Sequence, residues 1–188
     1  MKRLYAILLA VVILSVAGCA SAEKSKAEVS ETRAYRTADE LDPDLPSDNI
    51  DFVTDIYMMS DPDLQKQAFE ALTIVNDERS NQGLAPLMWD SRLETDAATR
   101  VQELASMFDK DHNRPDGRYW YTLDPGYLLG ESIYKGKGEA SKVMEAWMNN
   151  PADKENFLSP DITKMAISIF EEVDGTAYWA ALFAADTD

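Results

Sequence analysis

Apolar residues recur at helical spacing in two stretches of the chain. Leu64, Ala68, Ala71, Leu72 and Val75 follow an Asp61-Pro62 pair, an N-cap with proline at the first helical position, and the run stops at Gly83. Leu93, Ala97, Val101, Leu104, Ala105 and Phe108 form a second stripe, opened by Ser91 and Glu94 at capping-box spacing. Between the two, PLMW (86–89) supplies apolar residues that pin the connection to a core. Val143, Ala146 and Trp147 predict a third helix over 140–149, and 152–158 reads as a short fourth after Pro151.

The period then shortens. ITKMAISIFEEV, an Asp174-Gly175 pair and TAYWAALFA read as a β-hairpin closed by a tight primed turn, and segments 119–123 and 128–134 supply further strands. Helices early and strands late predict an α+β domain, with helices packed on an antiparallel sheet. No internal repeat is visible, so residues 61–188 make one domain of ordinary size.

The first sixty residues read differently. Lys2 and Arg3 precede an apolar run from Leu4 to Val16 and small residues before Cys19, an export signal too short to span a bilayer comfortably. Val16-Ala17-Gly18-Cys19 resembles the lipobox of bacterial lipoprotein precursors, where cleavage leaves the cysteine to carry lipid. That resemblance implies a signal peptide over 1–18 and a lipidated Cys19 held in a membrane. The mature protein is then expected on the cell envelope, facing outside the cytoplasm. Residues 19–60 read as an acidic, flexible tether: seven acidic residues and no basic one lie between Thr37 and Asp55. IDFVTDIYMM (50–59) interrupts it with enough apolar residues to dock as a short element.

Charge narrows the list of partners. The chain carries 34 acidic and 18 basic residues, and losing Lys2 and Arg3 with residues 1–18 takes the formal charge from −16 to −18. Such a surface repels nucleic acid, which is excluded as a partner. No D-x-[DN]-x-[DN]-G loop is present, so the carboxylates read as solvated surface rather than a calcium site. Cys19 is the only cysteine, so no intramolecular disulfide can form and stability must come from the core.

Motifs in order along the chain then converge. VNDERSNQGLAPLMWDSRLETDAATRVQELA, HNRPDGR, GES, AWMNNPADKENFL and the closing YWAALFA resemble the CAP superfamily, in particular its bacterial branch. This superfamily comprises cysteine-rich secretory proteins, antigen 5 and pathogenesis-related 1. The most specific parts are the N-x-x-R-x-x-x-G-L-x-P-L-x-W run of Asn76 to Trp89 and the RPDG turn. The resemblance implies an α-β-α sandwich with a central antiparallel sheet. It also implies a surface cleft that in many members holds two histidines and acidic residues, some of them binding a divalent metal. One histidine corresponds to His112 and one glutamate to Glu131 in GES. The second histidine is replaced by Asp153 in NPADKEN, and Met165-Ala166-Ile167-Ser168 stands where a G-x-G is usual. The second glutamate has no counterpart.

His112, Glu131 and Asp153 make a poor zinc site and could hold a harder cation only weakly. A hydrolase would have to use His112 with Glu131 as its orienting acid, with metal assistance as a variant, yet no G-x-S-x-G elbow appears. HNRPDG also reads as a turn after a helix, with His112 bonded to Glu131 and Arg114 pairing with a carboxylate or capping a carbonyl. Trp147 and Trp179 read as core. Tyr119, Trp120 and Tyr121 are the better ligand candidates, because consecutive aromatics on a strand cannot all face inward. The sequence therefore predicts a binding module with no resident cofactor. Its degenerate cleft comprises His112, Arg114, Glu131, Asp153, Tyr119, Trp120 and Tyr121, open to an unknown extracellular small molecule, cell-wall fragment or protein.

Overall fold

The structure, a computed structural model, describes residues 61–186. The expected signal at 1–18, Cys19, the tether at 19–60 and its apolar interruption at 50–59 lie outside the described residues.

Helix α1 spans Pro62–Asn81 and is bounded as its sequence predicts. The Asp61 carboxylate accepts from the Asp63 N–H at 2.9 Å, and Pro62 occupies the first position. At the other end Gly83, with φ +74°, lets the Leu84 N–H reach the Arg79 carbonyl (2.9 Å) and its own N–H the Ser80 carbonyl (3.0 Å). That double bond pattern is the Schellman closure. Helix α2 spans Ser91–Ser106, but its cap is Asp90, one residue earlier than expected. Asp90 Oδ1 accepts from the N–H groups of Arg92 (2.9 Å) and Leu93 (3.0 Å), while Glu94 accepts from the Trp89 indole at 3.0 Å instead of closing a capping box. Both Asp and Ser can cap, and the residue already in extended backbone geometry takes the role.

Strands β1 (Met88–Trp89), β2 (Gly130–Gly136), β3 (Lys164–Glu171) and β4 (Ala177–Ala184) form one sheet in the order β1-β3-β4-β2. β1 runs parallel to β3 over two residues, and the remaining pairs are antiparallel. Helices α3 (Ala140–Asn149) and α4 (Pro151–Leu158) fall where the sequence places them.

β4 is buried at every position because helices cover both faces of the sheet. Ala177, Trp179, Ala181 and Phe183 point into a core with α1, α3 and α4. Tyr178, Ala180, Leu182 and Ala184 point toward α2 and the segment before β2. Trp147 and Trp179 are buried as expected, meeting edge to face at 6.3 Å, and Phe157 meets Phe183 likewise at 4.8 Å. Each such side chain contributes about 2–3 kcal/mol by leaving water. The outer edge of β2 is closed by side chains: Trp147 Nε1 donates to the Ile133 carbonyl (3.2 Å) and Asn156 Nδ2 to the Glu131 carbonyl (2.9 Å).

Two local expectations fail. Residues 120–123 form a 3-10 turn rather than a strand, because the Thr122 hydroxyl and N–H both return to the Tyr119 carbonyl, at 2.7 and 3.1 Å. The β3-β4 hairpin closes through three residues, Val173 to Gly175, not through a two-residue primed turn. Gly175 N–H donates to the Glu172 carbonyl and Glu172 N–H to Thr176, both at 2.8 Å, and only Gly175 in the loop has positive φ. A primed Asp-Gly turn needs positive φ at both residues; here the Asp174 carboxylate instead accepts from the Thr176 N–H at 2.8 Å.

The N-x-x-R run serves this architecture. Asn76 holds Leu87 through both backbone groups, at 3.0 and 2.7 Å. Arg79, 1 % exposed, donates to the carbonyls of Ala85, Phe157, Ser159 and Ile162. One buried guanidinium thereby ties α1, the loop before β1 and the end of α4 together.

Candidate functional site

His112 ends the turn that leaves α2. Its backbone has φ +64°, the only positive φ outside glycine among the described residues. That left-handed conformation is uncommon for a residue with a Cβ and persists only where neighbours enforce it. Asp109 enforces it: its carboxylate accepts from the Asp111 N–H and from the Asn113 amide, both at 2.9 Å, and its carbonyl from the His112 N–H at 3.2 Å. Those two carboxylate bonds hold Asp109 below the ordinary carboxyl range. The imidazole is left directed at β2, with Nδ1 2.6 Å from Glu131 Oε2.

Glu131 is fully buried, and its second oxygen lies 2.6 Å from Arg100 Nε. Burial pushes this carboxyl upward, but the Arg100 charge and the His112 hydrogen bond outweigh it and hold the group below its ordinary value. Arg100, equally buried, reaches Glu103 at 3.2 Å. Glu103 in turn accepts two bonds from Arg114, at 2.9 and 2.6 Å, and Arg114 donates to the Thr122 hydroxyl at 3.3 Å. Carboxylate and cation thus alternate from Glu131 down to the 3-10 turn. Arg114, placed by sequence reasoning in the cleft, is 5 % exposed and lies in this internal ladder.

Asp153, in the first turn of α4, joins the same corner. Burial raises its carboxyl above the ordinary range, a hydrogen bond with Ser132 and the nearness of His112 pull the other way, and Glu131 adds to the rise. Beneath it Asn156 donates to the Glu131 carbonyl and, at 3.1 Å, to Ser132 Oγ. Gly130 makes room for this: a Cβ there would stand 2.6 Å from Asn156 Oδ1. The GES and DKEN segments are therefore locked as one unit.

The aromatic run divides. Trp120 is 1 % exposed and packs with Leu93, Ala97 and Leu128, so it cannot serve as a ligand platform in this arrangement. Tyr119 and Tyr121 stack on each other at 5.6 Å, both part-buried. Trp120 and Leu123, three apart and so on one face of the 3-10 turn, both point inward, where a strand would have put them on opposite faces.

Sequence reasoning missed Asp96, Arg100, Glu103 and Asn156. A signal existed for the first three: Asp96 and Arg100 lie four apart beside the Leu93, Ala97 and Val101 stripe, with Glu103 three further on, too close to that stripe to be surface charge alone. Asp96 is 1 % exposed, its Oδ2 has no hydrogen-bond partner, and burial, then the charge of Asp124, pushes it up to about 7. A separate open recess of about 560 Å³, lined by Gln82, Lys154, Glu155, Leu158 and Asp161 among others, contains none of these groups.

The donor set does not suit a cation. Both oxygens of Glu131 and one nitrogen of His112 are already committed, so a metal would have to displace Arg100 from a buried carboxylate. Among the described residues no three His, Cys, Asp or Glu side chains are grouped as metal ligands.

The family model described as CAP, cysteine-rich secretory protein family, matches residues 72–183, a span that takes in α2, the histidine turn, the GES strand and the closing hairpin. The chain belongs to the CAP family. A curated bacterial relative, the YkwD protein of Bacillus subtilis, is 28 % identical over 107 residues, covering 54 % of this chain and 42 % of that protein. The chain thus spans under half the length of this relative. Among solved structures, an extracellular SCP-domain protein of Bacillus anthracis superposes with a TM-score of 0.57 at 18 % identity, covering 68 % of this chain and 44 % of the other. An outer surface protein of Borrelia burgdorferi gives 0.56 at 19 %, covering 65 % and 95 %. At such identities the likeness is one of fold, and it agrees with the α+β sandwich described above.

Proposed function

We propose that this CAP domain is a lipid-anchored, extracytoplasmic binding module. Its cleft beside His112, Glu131 and Asp153, rimmed by Tyr119 and Tyr121, takes an extracellular small molecule, cell-wall fragment or protein without chemical turnover. The observation that carries this is the saturation of Glu131. With Arg100 on one oxygen and His112 on the other, this buried carboxylate is occupied on both sides as a support for the cleft wall. Placement outside the cytoplasm is supported by the lipobox-like start of the chain and by the descriptions of two relatives, one an outer surface protein and one extracellular. The anchor itself is Cys19.

One observation favours a second reading, a hydrolase. Nδ1 bonded to a carboxylate is how an orienting acid holds a general-base histidine, with its other nitrogen left for proton transfer. The two separate on one comparison, using muropeptide fragments as the binding probe and peptide and ester libraries as substrates. The expected result is loss of muropeptide binding in Tyr119→Ala and Tyr121→Ala, with no turnover in wild type. Turnover that disappears in His112→Ala and Glu131→Gln overturns the binding reading.

A further inference from the structure

Asp96 is not used by the cleft, yet it is sealed inside the domain at the point where the cleft wall docks. It lies on α2 between Arg92 and Arg100, one turn from each. Against that stretch of helix pack Trp120, Leu123 and Leu128, which belong to the segment carrying Tyr119 and Tyr121. An ion pair clamps the segment: Arg92 Nε and Nη2 grip the two oxygens of the buried Asp124 at 2.5 and 2.8 Å, and the guanidinium lies 4.1 Å over the Tyr127 ring. Asp124 carries its own bonds onward, its carbonyl accepting from the N–H groups of Tyr127 (3.1 Å) and Leu128 (3.0 Å).

Among the described residues, burial and two acidic neighbours outweigh the cations around Asp96. Asp124 faces it from the segment and Asp90 from the start of α2; both are acidic and disfavour its charge. Arg92 and Arg114 act in its favour, but Arg92 is committed to Asp124 and Arg114 to Glu103. From β3, Lys164 reaches Asp90 at 3.9 Å and Asp186 at 2.9 Å. β4 contributes no charged side chain. A neutral carboxyl with one unpartnered oxygen is tolerable in such a place, whereas a carboxylate there is costly.

We infer that Asp96 is a proton-operated latch: protonated, it lets the 118–128 segment seat on α2, and ionised, it competes with Asp124 for Arg92 and loosens that segment. The direction follows from linkage. A carboxyl raised in the folded state gives stability that is complete below its unfolded value, near 4, and that is lost as pH rises toward about 7. The rim of Tyr119 and Tyr121 would then be firm in mildly acidic surroundings and mobile in alkaline ones. The latch does not depend on what the cleft binds.

The test is ¹³C NMR titration of the Asp96 carboxyl, together with amide exchange at pH 6 and pH 8 on the intact protein, corrected for intrinsic rates. The expected result is a carboxyl transition near neutrality. Protection of the Tyr127 and Leu128 amides should fall about tenfold or more between the two pH values relative to β4, and should hold constant in Asp96→Asn. A transition in the ordinary aspartate range overturns the proposal. So does a neutral transition with no change in exchange at Tyr127 and Leu128. Should Asp96→Asn fail to fold, the titration and the wild-type exchange decide alone.

Discussion

Replacing Arg100 with methionine keeps the stem that packs along α2 and removes the charge that neutralises Glu131. Glu131 is fully buried, so the variant leaves a carboxylate with His112 as its remaining side-chain partner. Breaking a buried pair in this way costs about 3–5 kcal/mol, which for a domain of this size lowers the melting midpoint by roughly 10 °C or more. Glu131→Gln should also destabilise, since it strips Arg100 of one of its two carboxylates. The double variant removes both charges, so it should lose less than the two single losses added together, with a coupling of about 2 kcal/mol or more. The pH dependence carries a sign as well. In the wild type, Glu131 is held low and its contribution is lost as pH falls. Without Arg100, burial dominates and the carboxyl rises, so the variant recovers relative to wild type as pH falls from 7.5 toward 5. Urea unfolding of the four proteins at both pH values measures this. Additive losses within about 0.5 kcal/mol, or a gap that widens in acid, refute the reasoning.

Two further outcomes follow from the frame of the domain. Arg79→Met should cost about 3 kcal/mol or more in urea unfolding, because four buried or part-buried carbonyls lose their donor at once. A loss below about 1 kcal/mol would mean that water replaces the guanidinium. Asp90→Ala should cost about 1–2 kcal/mol through the lost cap and the lost bond from the Tyr127 hydroxyl (2.8 Å), whereas Ser91→Ala should change stability by less than about 0.5 kcal/mol; the reverse order in thermal melts would restore Ser91 as the cap.

Much of the frame was open to reading along the chain. The stop at Gly83, the bounds of α3 and the core face of β4 that carries Trp179 rest on contacts within a few residues or on the period of apolar positions, and those are properties of the linear order. Where local options were close in energy, details finer than the apolar period chose between them. Extended backbone at Asp90 gave it the α2 cap over Ser91, and the two bonds from Thr122 to the Tyr119 carbonyl coiled the Tyr119 to Leu123 run.

The site was half legible. His112, Glu131 and Asp153 come together as their motifs imply, and a hydrogen bond between the first two was foreseeable. What the histidine rests on was not. Glu131 lies 31 residues from Arg100 and 19 from His112, and only the stacking of α2 against the sheet brings the three within bonding distance. Trp120 went from rim to interior because a turn conformation set its direction, whereas Arg114 pairs with a carboxylate as expected, the partner being Glu103 of α2. Asp96 gave the weakest sign of all: a charge in an amphipathic helix is usually solvated, and it becomes a buried acid only when Asp124 and the 3-10 turn close over it. Short-range geometry and apolar period are written in the order of residues, whereas the burial and charge environment that decide chemistry are sums over elements distant in sequence, and those exist only once the chain has packed.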